Sequence, residues 1–200
     1  MKKKLPKPAV LSAAAAFLFL FAAAGYFILF VPAPDRETKI AVPATFFCDT
    51  EENYIVSQTD GNCSAYAAAY LLRHMGEETD GEMLAAGMRR IFGFVPASSV
   101  VRALNVYGYT AAAYHGSLTS LKQRLAQGIP VIVFIRIPGD THYAVVTGYD
   151  EQYLYLADSL PENANAVSEG YNRRLSAGEF LSLWETDSLL PDNIYIAITA

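Results

Sequence analysis

Two hundred residues, 52% of them hydrophobic and 18% charged, suffice for one ordinary domain with a real core and a short extension. All 20 acidic residues lie beyond Val31, against 11 of the 15 lysines and arginines, so that part of the chain carries a net −9. This balance argues against nucleic acid or anionic lipid headgroups as partners. Two cysteines, Cys48 and Cys63, are too few for a disulfide-rich scaffold, although a single bridge between them is one reading.

Part of the hydrophobicity is local. From Ala9 to Val31 no side chain is charged; as a helix this run spans roughly 34 Å, enough to cross a hydrocarbon core with some tilt. Lys2, Lys3, Lys4 and Lys7 precede it, whereas Asp35, Arg36, Glu37 and Lys39 nearly cancel after it. The positive-inside rule then predicts a single-pass membrane anchor, with the N-terminus cytoplasmic and the remainder outside the cytoplasm. A cleaved signal peptide is the alternative, with Ala22-Ala23-Ala24 as cleavage site and a secreted product. Its apolar region usually runs about 7–15 residues, and residues 26–31 prolong this one. Pro32, Pro34 and the mixed charges to Lys39 read as a linker. The expected organisation is 1–31 stub and anchor, 32–39 linker, and 40–200 globular domain.

Within that domain, residues 64–75 read as a helix apolar on nearly every face and closed by Gly76, hence internal. Asp80 caps a second helix, expected to run to about Phe92 and end at Gly93. Residues 96–106 read as a third, stopped by Gly108, and 117–127 as a fourth, closed by Gly128. The pattern then changes. Residues 131–137 are a continuous β-branched and aromatic run, as in a strand buried on both faces. Residues 142–149 and 152–158 follow as strands joined by a tight hairpin at Asp150-Glu151. A polar loop, a helix near 176–184 and a strand over 194–199 complete the chain. Helices first and an antiparallel sheet second make an α+β domain.

The stretch SQTDGNCSAYAAAYLLRHMG, from Ser57 to Gly76, carries the first chemical signal. Cys63 stands at the start of the first internal helix, after the turn Asp60-Gly61-Asn62. A helix N-terminus offers partial positive charge and free backbone N–H groups, which favour a thiolate. Attack on a carbonyl also needs a base and donors for the developing oxyanion. Gln58 supplies a side-chain amide close by in sequence. His74 ends the helix, where a cation suits the dipole, and reads as structural; His115 precedes Gly116 in a turn and reads as solvated. His142 is different, because a strand hairpin relates it to Asp158. If Tyr149 pairs with Tyr153, the two are diagonal neighbours on one face. If Gly148 pairs with Gln152, they lie directly opposite. A one-residue slip between these registers sends them to opposite faces.

These residues resemble a family. Gln58, Cys63, HYAVVTGYD (from His142) and Asp158 are similar to the papain-like cysteine peptidases that remove double-glycine leaders from bacteriocins, especially their stand-alone relatives. LSAGEFLSLW (from Leu175) is similar to a Ser/Glu-Phe-Leu…Trp segment of many relatives. The resemblance implies a papain-like fold, an N-terminal helical half packed on an antiparallel sheet; the one transmembrane helix before it is the reading of the uncharged run. The family resemblance implies Cys63 as nucleophile, His142 as general base, Asp158 as its orienter and Gln58 as oxyanion donor, acting on a peptide or protein substrate; the sequence itself shows no metal cluster and no cofactor motif. Ser64 stands where relatives commonly have glycine, Asn62 where many have glycine or aspartate, and no Walker motif is present. The outward topology also sits badly with leader removal before export. The readings in view are an extracytoplasmic cysteine peptidase, a catalytically silent peptide-binding module on the same fold, and a Cys-dependent acyl transferase.

Overall fold

The uncharged N-terminal run forms α1, Lys7–Phe30, as expected of alanine- and leucine-rich sequence with no proline beyond its first turn. The chain is seen as a computed structural model that describes residues 7–49, 53–168, 170–186 and 190–199, with side chains over 12–26 of α1. Among the described residues no helix is long and apolar enough to cross a membrane. Residues 9–11 and 27–30 of the span expected from sequence lie outside the described side chains.

A second unit begins at Pro32, earlier than the Ile40 expected from sequence. Residues 32–39, read as a linker, dock on this unit. β1 (Ala33–Pro34) pairs in parallel with β3 (Ala111–His115). Asp35 then receives both Nε and Nη2 of Arg124 at 2.9 Å and the hydroxyl of Tyr195. A bidentate guanidinium bond of this kind is geometrically specific. The charges that suggested a solvated linker are the ones that fasten it.

The helices follow their end signals. α2 is Cys63–His74, α4 Ala97–Val106, α5 Leu118–Leu125 and α6 Ala177–Trp184. Ser117 and Ser176 close capping boxes on α5 and α6. α3 covers only Gly81–Gly87, capped by Asp80 through the Met83 N–H at 2.8 Å. It stops short of the expected Phe92 because Met88 turns to an extended conformation and buries its side chain.

One mixed sheet organises the rest, in the order β1-β3-β8-β4-β5-β6-β7, with β2 (Phe46–Phe47) added on β5. Here β4 is Val131–Ile137, β5 Asp140–Tyr149, β6 Tyr153–Ala157, β7 Arg173–Ser176 and β8 Ile194–Ile198. Every pairing but β1–β3 is antiparallel, so the wholly antiparallel sheet expected from sequence is corrected at its edge. Helices cover both faces. Ile132 and Phe134 pack with α2 and α4 residues, while Val131, Val133 and Ile135 pack with Leu121, Phe180 and Trp184. That double burial is why β4 reads as an unbroken apolar run.

Candidate active site

Cys63 is the first residue of α2, half-buried, and neither it nor the buried Cys48 forms a disulfide. The nine residues behind it, Ser64 to Leu72, are all buried, so the helix start is held by packing along its length. Asn62 precedes it without capping, because its Oδ1 accepts from Arg90 Nη2. The N–H groups of the first turn are therefore not occupied by that side chain.

Gln58 lies in the loop before α2, where Ser159 holds it. Its backbone N–H bonds Ser159 O at 2.9 Å, and its Oε1 accepts from Ser159 Oγ at 2.7 Å. With the amide oxygen engaged, the Nε2 hydrogens are the end left to donate. Ser159 was not singled out in the sequence, although its adjacency to Asp158 was the available signal.

The hairpin of β5 and β6 sets His142 and Asp158. Next to its turn, Tyr149 pairs with Leu154 and Gly148 with Tyr155, a register matching neither alternative drawn from sequence. Carried through, it would send the two side chains to opposite faces. A β-bulge at Thr147 intervenes: beyond it Val146 pairs with Leu156 and Val145 with Ala157. The extra residue restores the even register in which His142 and Asp158 are diagonal neighbours. Their contact follows, with His142 Nε2 and Asp158 Oδ1 2.7 Å apart and both side chains buried. Gly148 is a glycine for a stated reason, since a Cβ there would meet Phe47 of β2 at 2.4 Å.

The Asp158 carboxylate is saturated. Besides His142, Oδ1 accepts from the Leu160 N–H at 2.9 Å, and Oδ2 from Arg173 Nη1 at 2.8 Å and Asn163 Nδ2 at 3.1 Å. Asn172 clamps the Asp158 backbone on both sides, at 2.8 Å each. Burial works to raise the carboxyl pKa, but the bonds and charge from His142, with those from Leu160 and Arg173, hold it below the ordinary value. Burial likewise works to lower the His142 pKa. It is outweighed by the hydrogen bond of Asp158 and that of the Cys63 side chain, and the pKa stands raised to about 9. With Nε2 on Asp158, the imidazole's remaining nitrogen is Nδ1. Arg173 and Asn172 went unmarked in the sequence because β7, RRLS, lacks the apolar alternation of a strand.

His74 and His115 stand apart from this group. His74 closes α2 with Nε2 3.0 Å from Gly128 O, and His115 ends β3, not a turn. Among the described residues, no group of three or more His, Cys, Asp or Glu is placed to hold a metal ion. A half-buried thiol at a helix start, an imidazole oriented by a buried carboxylate and an amide held by Ser159 are groups that can support nucleophilic attack on a carbonyl.

Comparison with known proteins gives a consistent picture. Residues 51–188 match the Peptidase_C39 like family. Among solved structures, the peptidase domain of Streptococcus ComA, described as a bi-functional ABC transporter involved in a quorum sensing pathway, is 21% identical. The match covers 74% of this chain and 98% of that one, at a TM-score of 0.60. A putative C39-like peptidase from Bacillus anthracis is 16% identical over 77% of this chain and 97% of that one, also at 0.60. A double glycine motif protease from an AMS/PCAT transporter, solved in complex with the leader peptide, is 17% identical over 84% and 96%, at 0.53. At these identities the likeness shows the shared fold. No curated protein is similar enough to match.

Proposed function

The chain belongs to the Peptidase_C39-like family and is a cysteine peptidase, and from that premise we propose a membrane-anchored enzyme that cleaves peptide bonds outside the cytoplasm with Cys63, His142, Asp158 and Gln58. Cys63 Sγ, as thiolate, attacks the scissile carbonyl carbon. His142 gives its proton to the leaving amine and then takes one from the water that hydrolyses the thioester. Gln58 Nε2 and the Cys63 N–H donate to the oxyanion. Asp158 orients the ring and supports its positive charge. Anchoring rests on the sequence, on the four lysines before the run of residues 9–31 that carries no charge.

The observation that carries the catalytic reading is the buried 2.7 Å bond from His142 Nε2 to Asp158, which leaves the ring's other nitrogen unclaimed by the carboxylate. Brief iodoacetamide treatment at neutral pH followed by peptide mass spectrometry tests it together with cleavage of a quenched peptide library. Cys63 is expected to be alkylated first, since burial pushes the Cys48 thiol up to about 12. Cys63→Ala and His142→Ala are expected to abolish cleavage with the fold intact. Equal labelling of both thiols, or cleavage that survives Cys63→Ala, refutes the reading.

A further inference from the structure

Between α3 and α4 the chain makes a two-residue turn that bears an aromatic side chain where the backbone disfavours one. Ile91 and Phe94 exchange both backbone hydrogen bonds, at 2.7 and 3.0 Å. The residues between them, Phe92 and Gly93, have φ of 51° and 83°. Turns with both central residues at positive φ favour Asn-Gly and Asp-Gly, and a bulky residue there is an outlier. Phe92 is moreover fully exposed, so the free protein gains nothing from its ring. Conformation and solvation both count against it.

The place of this turn gives the residue a use. Arg90 bonds Gly93 O through Nη1 at 3.2 Å and Asn62 Oδ1 through Nη2, which ties the turn to the residue before Cys63. Beneath it opens a cleft of about 470 Å³ bordered by Cys63 and Phe92, with Phe94, Phe134 and Tyr143 along its wall. Those three rings meet in sequence, Phe94 edge-on to Phe134 at 5.6 Å and Phe134 tilted against Tyr143 at 4.9 Å. The Tyr143 hydroxyl is fixed on Val95 O at 3.0 Å. The wall is rigid and aromatic, and it stands one residue from His142.

We propose that this cleft is the specificity pocket of the peptidase and that it receives a large apolar side chain, aromatic or branched aliphatic, of an extended peptide beside the scissile bond. A glycine pair in that place would leave the exposed Phe92 ring and the half-buried Phe94 in water, whereas Phe134 and Tyr143 behind them are buried already. A bulky apolar side chain covers Phe92 and Phe94 and turns an unfavourable exposed residue into a contact made only with substrate. The inference rests on the reading of Cys63 as nucleophile, because that fixes where the scissile bond lies.

Binding to the full-length Cys63→Ala chain in detergent tests the pocket without any turnover. Two fluorescent decapeptides are compared, identical except for Gly-Gly or Phe-Gly at the centre, with Leu-Gly as a third. The apolar peptides are expected to bind about tenfold tighter than Gly-Gly, the scale of one apolar side chain in a pocket. Adding Phe92→Asn, which suits positive φ, is expected to cut that preference to about threefold or less while leaving the melting temperature unchanged or higher. Equal binding, a preference for Gly-Gly, or full preference retained by Phe92→Asn overturns the pocket. Cleavage by the unsubstituted chain is measured separately: preference without cleavage refutes the catalytic reading alone, and cleavage without preference refutes the pocket alone.

Discussion

His142 and Asp158 lie 16 residues apart, and the chemistry of the site turns on the proton between them. An imidazole in the unfolded chain titrates near about 6.5, whereas in the fold it holds its proton up to about 9. The interaction thus stabilises the fold fully below the lower value and is lost as pH climbs through the higher one. Activity should follow the same proton. Above about 9 the leaving amine has no acid, so kcat/KM on a peptide substrate is expected to fall on an alkaline limb centred there. Asp158→Asn should move that limb to lower pH and keep part of the activity, because it removes charge and orientation but not the base. An unmoved limb in that variant would show that the titrating group is not His142. Arg173, at 2.8 Å from the same carboxylate, helps keep it ionised beneath a buried surface.

Among the elements, α2 was the most legible, since an apolar run behind Asp-Gly-Asn and before a glycine marks an internal helix with Cys63 at its start. β4 and α6 were equally plain, the one from its β-branched run and the other from its Ser176–Glu179 capping box. The hairpin was legible only in outline. Alternation told that His142 and Asp158 must share a face to meet, but the bulge at Thr147 leaves no mark in composition. Its cause is tertiary: Thr147 O accepts from the Cys48 N–H at 2.8 Å, and Thr147 Oγ1 bonds Tyr155 O at 3.3 Å. Alanine-rich β3 and charged β7 also escaped, because neither carries a pattern of period two. Deleting Thr147 tests the bulge directly. Removal of the extra residue is expected to leave a folded chain by circular dichroism that does not cleave peptide, with His142 turned from the Asp158 face. Full activity of the deletion would show that the hairpin re-forms its register by other means.

At the scale of the whole molecule, the N-terminal part proposed as an anchor and the domain beyond Pro32 are separate compact units. Residues 32–39 belong to the second by their bonds, with Asp35 held by Arg124 and Tyr195, and Thr38 by Gln123 at 2.9 Å. The sequence hid this because proline and mixed charge read alike in a solvated linker and in a docked edge. The proposed topology has its own test. Protease added to spheroplasts should remove an epitope tag placed after Ala200, since the lysines precede the span and the flank after it is nearly neutral. A tag that survives until the membrane is opened reverses the orientation and returns the enzyme to the cytosol.

The bulge at Thr147 also has a consequence for descent. Insertions and deletions in a hairpin are usually absorbed at the turn, but here the turn and the bulge jointly set an odd-or-even condition on chain length. A lineage that gained or lost one residue at either place would reverse which way Asp158 points, leaving fold and composition untouched. Only paired changes, one at each place, pass through without loss of the site. Among active relatives, hairpins without the bulge should therefore differ by one residue at the turn, and a relative with a single unmatched gap there should have lost its catalytic pair.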